Sequence, residues 1–317
     1  MRGTTMFLAT YVRMFLMICV PLFIILTGYL MCHKTLDRKY YSKAAKTLVI
    51  YLLASIVCLL FKIVFQHDSF SVGEAIEKIF DFSAAPYAWY IEMYIGLFLI
   101  IPFLNLAFYG LKTKKQRLTL VATCIFLTIL PQNLKYLPNW WVSIYPICYY
   151  FTGCYLREYG LKLRRLAVVM ILLASVLLGT LRTFICCYGR NFEWTGWNGH
   201  NSIAVYAASI MTFVLLSSFK YRWISGKLSK ILEYVSGLVL GAYLCSWILD
   251  EIVWKGQIIQ SVPAIPRAAL GVSLVFCGSL LLSAVLNVLY WLLVKLAQGA
   301  KNLTCYTPFQ IGKNMLK

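Results

Sequence analysis

The sequence contains few charged residues. Asp, Glu, Lys and Arg together make up 13% of the 317 residues, about half their share in a typical soluble domain. Hydrophobic residues make up 61%, and a water-soluble fold of this length has too small an interior to bury them all. The composition therefore excludes a soluble globular protein and predicts a chain that lies in a lipid bilayer.

Alternation of apolar and polar residues is missing from the hydrophobic segments. An outer-membrane barrel needs such alternation in strands of about 10 residues, whereas the apolar runs here are continuous. Backbone groups in lipid must be hydrogen-bonded within their own segment, so the runs predict an all-α, polytopic transmembrane helical bundle of about nine spans. These spans are 11–32, 47–66, 87–109, 118–134, 140–156, 166–188, 201–219, 235–254 and 267–296.

Acidic residues are fewer than basic ones, at 11 Asp and Glu against 30 Lys and Arg, which gives a net charge of +19. The basic residues lie in short loops between apolar runs, which indicates attraction to anionic membrane lipids and argues against nucleic acid as a partner. Four or five of them follow the first, third, fifth and seventh spans, and about one follows each span between. The positive-inside rule then places Met1 outside the cell and the tail from Lys295 to Lys317 in the cytoplasm.

The sequence contains no recognisable metal-ligand spacing. Its 11 cysteines form no CxxC pair and no Cys/His cluster, and most lie in apolar runs, where a cysteine packs as a small hydrophobic residue. Histidine is also rare, and His33, His67 and His200 all fall outside the predicted spans. We therefore expect no bound metal and no histidine within a span.

Six ionisable residues fall within the predicted spans. Each costs about 2.5–3.5 kcal/mol on insertion into lipid, so such residues are functional candidates. All six lie in the outer halves of their helices, and three are basic and three acidic, which predicts a polar chamber that opens to the outside. They are Arg13, Lys62, Glu92, Arg182, Asp250 and Glu251. Snorkelling to the nearby interface is the alternative for Lys62, Asp250 and Glu251.

Tryptophan and tyrosine cluster near the external ends of the predicted spans. Trp89 and Tyr90 begin one span, and Tyr243 shares a helical stripe with Asp250 in another. Such clusters are typical of the aromatic belt at a membrane interface. They are equally suited to stack on sugar rings at an external face, and the sequence leaves both interpretations open.

Four segments, in this order along the chain, resemble the integral-membrane acyltransferase family 3. They are Val20–Leu30 with its Thr-Gly-Tyr turn, Trp89–Leu97 with the following Ile101-Pro102, Tyr149–Gly153 and Gly241–Leu244. Members of this family acylate sugars of bacterial cell-surface polymers. The resemblance extends over nearly the whole chain, as one membrane-embedded domain from residue 1 to residue 317.

The resemblance implies a membrane O-acyltransferase, most simply an O-acetyltransferase, of the bacterial cytoplasmic membrane. It would take the acyl group from acyl-CoA, with no bound cofactor, and pass it to a hydroxyl of a cell-surface or lipid-linked saccharide. Lys43 and Lys46 occupy the positions where the family has an Arg-x-x-Arg pair. Lysine keeps the positive charge for phosphate binding, but it lacks the guanidinium group that binds phosphate through two parallel hydrogen bonds. The candidate catalytic residues are Arg13, Glu92, Arg182 and His200, and the candidate substrate-binding residues are Trp89, Tyr90, Tyr243, Asp250, Lys43 and Lys46.

The chain departs from the family at its start. Members usually have ten spans, the first of which carries a basic residue and, about eleven positions later, a histidine. This sequence begins at the second of those spans, so we expect it to be N-terminally truncated. Glu92 within a span and His200 in an external loop are the candidates to replace the missing histidine. Two alternatives stay open: an inactive relative of the family, or a transporter of a small polar solute. No inverted repeat supports the transporter.

Overall fold

The computed structural model describes residues 2–134, 136–219, 221, 224–256 and 260–304. Within these residues every regular element is a helix and none is a strand, which confirms the all-α prediction. The helices are α1 (Gly3–Leu16), α2 (Cys19–Met31), α3 (Arg38–Ser42), α4 (Ala44–Phe65), α5 (Val72–Phe80), α6 (Trp89–Gly110), α7 (Lys114–Thr128), α8 (Leu130–Asn133), α9 (Tyr145–Tyr159), α10 (Arg165–Cys186), α11 (Ile203–Ser217), α12 (Gly226–Asp250) and α13 (Ala264–Thr304).

Six helical segments of the described chain are long and apolar enough to cross a membrane. They are Gly3–Met31, Lys39–Phe65, Trp89–Gly110, Arg165–Cys186, Gly226–Lys255 and Pro266–Leu296. The other three predicted spans coincide with α7, α9 and α11, which are helices of 15 residues each. Such a helix is about 22 Å long, against about 30 Å of hydrocarbon in a bilayer. The count of nine spans and their orientation therefore stay predictions.

The described residues fall into two compact units. Unit 1 contains the chain up to Asp37 and Gly96–Tyr221, and unit 2 contains Arg38–Ile95 and the described residues after Arg222. Helix α6 contributes its first turns to unit 2 and the rest to unit 1. Each unit has its own hydrophobic core, and each carries part of the predicted site.

Helix α9 lies at the centre of unit 1, because most of its side chains are buried. It contacts α2 at two facing glycines. A methyl group on Gly28 would collide with the backbone carbonyl of Tyr150, and one on Gly153 would collide with that of Ile25. Two glycines thus allow the two backbones to approach closely, as at other small-residue crossings in membranes.

The first apolar segment is interrupted between α1 and α2, at Met17 and Ile18. Pro21 explains part of this break, because proline has no N–H to donate to the carbonyl four residues earlier, which is that of Met17. A carbonyl inside a membrane protein needs another donor. The structure supplies one from a distant loop, described below.

The core of unit 2 forms where α4, α12 and α13 meet. Its fully buried side chains include Cys58, Leu244 and Leu286. Gly241 faces Ser283, where an added methyl group would collide with the serine hydroxyl, and that hydroxyl donates to the Leu238 carbonyl at 2.6 Å. Gly241, the first residue of the Gly241–Leu244 segment, therefore allows α12 and α13 to pack closely.

Candidate functional site

The loop of residues 187–202, between α10 and α11, is held in shape by one buried asparagine. The Asn198 side chain is 0% exposed. Its Oδ1 accepts from the Thr195 amide at 2.8 Å, and its Nδ2 donates to the Glu193 carbonyl at 2.9 Å. Asn133 ties this loop to α8, because its Nδ2 donates to the Gly196 carbonyl at 2.9 Å. The loop is therefore a fixed part of unit 1.

Both predicted arginines of unit 1 contact aromatic rings of this loop. The Arg13 guanidinium lies 4.0 Å from the Phe192 ring centroid and 5.0 Å from that of Trp194. The Arg182 guanidinium lies 4.8 Å from the Trp197 ring centroid. Cation–π contacts of this kind contribute about 0.5–2 kcal/mol each. They give the two cations partners that the sequence alone did not reveal.

A cavity of about 510 Å³ lies beside Arg182 in unit 1. Arg182 and Trp197 form one wall and residues of α8 form another. The lining residues are Gln132, Asn133, Leu134, Tyr136, Arg182, Cys186, Thr195, Gly196 and Trp197. A cation, amides and an aromatic face around one space are suited to a polar ligand with hydroxyl groups.

His200 supplies the donor for the carbonyl that Pro21 leaves without one. Its ring Nδ1 lies 3.2 Å from the Met17 oxygen. A carbonyl oxygen accepts only, so Nδ1 carries the proton and Nε2 is the basic nitrogen of the neutral ring. Burial lowers the pKa of His200, and the hydrogen bond to Met17 opposes that effect in part. The imidazole is therefore neutral near pH 7, as a general base must be.

Glu92 lies in the first turn of α6, where the helix dipole favours a carboxylate. Its side chain is exposed. Arg13 belongs to unit 1 and Glu92 to unit 2, and their expected pairing stays a prediction. So does the polar chamber inferred from the six charges.

Four predicted substrate-binding residues come together in unit 2. The Tyr87 hydroxyl donates to Asp250 Oδ2 at 2.7 Å, and the Tyr87 and Tyr243 ring centroids are 6.0 Å apart. Tyr90 lies edge-on to Tyr243 at 5.9 Å and to Trp89 at 6.2 Å. We call Tyr87, Trp89, Tyr90, Tyr243 and Asp250 the aromatic–carboxylate cluster. Tyr87 is the member whose role the sequence analysis missed.

The remaining charged candidates of unit 2 have local partners or lie exposed. Lys62 Nζ donates to the Ala84 carbonyl at 3.1 Å, and Glu251 pairs with Lys255 at 2.7 Å. These contacts account for Lys62 and Glu251 without a role in catalysis. Lys43 and Lys46 are exposed at the start of α4, within the helical segment Lys39–Phe65.

Comparison with known proteins identifies the class of this protein. Residues 2–292 match the family described as an acyltransferase domain. With six apolar helices of membrane-spanning length, this match defines a membrane acyltransferase. The chain belongs to acyltransferase family 3, as the resemblance predicted. No curated protein and no solved structure matches it.

Proposed function

We propose that this membrane acyltransferase transfers an acyl group, acetyl in the simplest case, from acyl-CoA to a hydroxyl of a cell-surface or lipid-linked saccharide. The observation that carries the proposal is the aromatic–carboxylate cluster of unit 2. Asp250 accepts from Tyr87 through one oxygen, and a carboxylate has further lone pairs for sugar hydroxyls. The rings of Tyr90 and Tyr243 offer apolar faces to the C–H side of a sugar.

His200 supports transfer to a hydroxyl. The pKa of a sugar hydroxyl is far above neutrality, so its attack on a thioester carbonyl needs a positioned base. In our proposal His200 Nε2 takes the hydroxyl proton while the hydroxyl oxygen bonds to the acyl carbon and the CoA thiolate leaves. The hydrogen bond from Nδ1 to the Met17 carbonyl keeps the ring in the required tautomer.

Basic side chains support an anionic donor such as acyl-CoA. Lys43 and Lys46 place two exposed positive charges at the start of α4. A lysine ammonium group binds phosphate as a point charge. We propose these two lysines as contacts for the phosphates of the donor, on the cytoplasmic side.

We further propose nine spans in the cytoplasmic membrane of a bacterium, with the basic loops inside. Cysteines introduced at Lys115 and at Glu77, in a background without the native cysteines, test this orientation. We expect a membrane-impermeant maleimide to label the Glu77→Cys variant on intact spheroplasts, and the Lys115→Cys variant only after permeabilisation. Labelling of Lys115→Cys on intact spheroplasts would contradict the orientation. Both side chains are exposed, so burial does not confuse the result.

The saccharide proposal is tested by Asp250→Asn. The full chain is reconstituted into liposomes with radiolabelled acetyl-CoA and surface polysaccharide from a host that lacks its own O-acetyltransferase. We expect the variant to raise KM for the polysaccharide by about 10-fold or more, because a hydrogen bond to a charged group contributes about 1.5–3 kcal/mol. We expect KM for acetyl-CoA to stay unchanged.

Glu251→Gln is the matched control for this experiment. It also converts a carboxylate into an amide at the end of the same segment, but Glu251 pairs with Lys255 outside the cluster. We expect the control to keep the wild-type KM for the polysaccharide. An equal increase in both variants would refute the cluster as the saccharide site, and the absence of labelled polysaccharide with the wild-type protein would refute the proposed acceptor class.

A further inference from the structure

The second large cavity of unit 1 lies at the opposite end of α2 from Met17 and His200. Its volume is about 460 Å³. It lies between the C-terminal end of α2 and the second half of α6. Its lining residues include Cys32, His33, Lys34, Asn105 and Tyr109. Neither the acyl transfer proposed above nor the family match assigns a role to this cavity.

Two side chains that line this cavity and a third beside them bring metal-ligand atoms together. Cys32 is the C-terminal cap residue of α2 and is 0% exposed. His33 follows it, and Glu158 comes from the last turn of α9. The sulfur, a ring nitrogen and a carboxylate oxygen of these residues all lie within 4.8 Å of one another. His33 Nε2 already lies 3.4 Å from Glu158 Oε1.

Two neighbouring residues contact this cluster, Tyr109 through the side chains and Asn105 through the backbone. The Tyr109 hydroxyl donates to Glu158 Oε1 at 2.7 Å, and the Tyr109 ring stacks on the His33 ring with centroids 5.3 Å apart. Asn105 Nδ2 donates at 2.8 Å to the carbonyls on either side of the Cys32-His33 pair, those of Met31 and Lys34. Metal ligands are typically oriented by such outer contacts.

We propose that Cys32, His33 and Glu158 form a site for a thiophilic divalent cation, with zinc as the best-fitting ion. Thiolate, imidazole and carboxylate are all zinc ligands, and three protein ligands with one open position are typical of reactive sites rather than of closed structural ones. This assignment departs from the expectation of no metal, because Glu158 is far from Cys32 and His33 along the chain.

The charges and the geometry of the cluster suit this ion. A thiolate and a carboxylate together neutralise a divalent cation, so the site tolerates Arg117, whose Nη1 lies 4.0 Å from Glu158 Oε2. Zinc bonds of about 2.0–2.3 Å require ligand atoms to come within about 3.5 Å of one another. The three ligand atoms lie within 4.8 Å of one another, so zinc binding requires shifts of about 1 Å, and the His33 side chain, which is 61% exposed, has open space on its solvent side.

Metal content of the purified full chain tests the proposal. The protein, freed of any affinity tag, is stripped with a chelator, equilibrated with zinc chloride, desalted and analysed by mass spectrometry for metals. We expect about one zinc per chain for the wild type. Cys32→Ser and Glu158→Gln are each expected to lower zinc affinity at least 10-fold, and Tyr109→Phe is expected to lower it about 10- to 100-fold through the lost outer contact.

Cys19→Ser is the matched control, since Cys19 is an exposed cysteine at the other end of α2. It should bind zinc like the wild type. Cobalt(II) gives a second readout: a thiolate-to-cobalt absorption band in the near ultraviolet that Cys32→Ser abolishes and Cys19→Ser retains. If Cys32→Ser does not fold, His33→Ala replaces it, because that side chain is exposed. Less than stoichiometric zinc in the wild type, or full zinc binding by His33→Ala, would overturn the proposal.

Discussion

Replacing His200 by asparagine is expected to reduce acyl transfer about 10²- to 10⁴-fold, the usual contribution of a general base. In the wild type His200 Nδ1 lies 3.2 Å from the Met17 oxygen. The asparagine Nδ2 occupies the position of Nδ1 and still donates to that oxygen. The variant therefore keeps the hydrogen bond to the Met17 carbonyl, between α1 and α2, but has no basic nitrogen. The assay is transfer from labelled acetyl-CoA to polysaccharide by the reconstituted full chain.

His200→Ala separates structure from chemistry in the same experiment. It removes both the base and the donor to Met17, so it should lose activity to a similar extent and also unfold at a lower temperature. His67→Asn is the control, because His67 lies in a loop of unit 2 and has no proposed role. Full activity of His200→Asn would refute the assignment of His200 as the base.

The pH dependence of kcat/KM gives an independent measure of the same group. A base works in its neutral form, so activity falls as the pH drops through its pKa. Burial lowers the pKa of His200, which places the acidic limb of the profile below the ordinary histidine value of about 6.5. An acidic limb above that value would contradict the buried, neutral imidazole described here.

Gly28→Ala is expected to destabilise the protein by about 1–3 kcal/mol, the usual cost of overpacking a well-packed contact. The added methyl group meets the backbone carbonyl of Tyr150, which cannot rotate away as a flexible side chain would. The clash therefore separates α2 from α9, the buried central helix of unit 1. Thermal unfolding of the purified protein in detergent, followed by near-ultraviolet circular dichroism, measures the effect.

Gly96→Ala is the matched control for Gly28→Ala. Gly96 is also a helical glycine of unit 1, but a methyl group added there meets nothing within 4 Å. The remaining effect of Gly96→Ala is the higher helix propensity of alanine, which stabilises the folded protein by up to about 1 kcal/mol. We expect the two substitutions to shift the unfolding temperature in opposite directions. Equal shifts would contradict the close crossing at Gly28.

The apolar runs predicted the helical class and the six long segments, because insertion of a helix into lipid depends on its own residues. The family was also predictable, since its motifs are read along the chain. The three shorter helices stay predictions as spans. Helix α9 is apolar enough to suggest a span, yet it has only 15 residues and lies buried inside unit 1.

The candidate site was predicted in part. Helical spacing placed Tyr243 and Asp250 on one stripe of α12, and the structure joins that stripe to Tyr90 through Tyr243. The role of Tyr87 was missed because its partner Asp250 is 163 residues away. The Cys32-His33 pair gave no metal signal because the third side chain, Glu158, lies on another helix.

The sequence by itself determined which segments prefer lipid, which loops carry positive charge and to which family the chain belongs, because each is read from the order of residues along the chain. It also placed Pro21, and thus the carbonyl of Met17 that loses its helical donor. Only the tertiary structure decided that His200, 183 residues further along, supplies the replacement. That pairing depends on how α2, α9 and the loop around Asn198 pack together, and packing is a property of contacts distant in the chain.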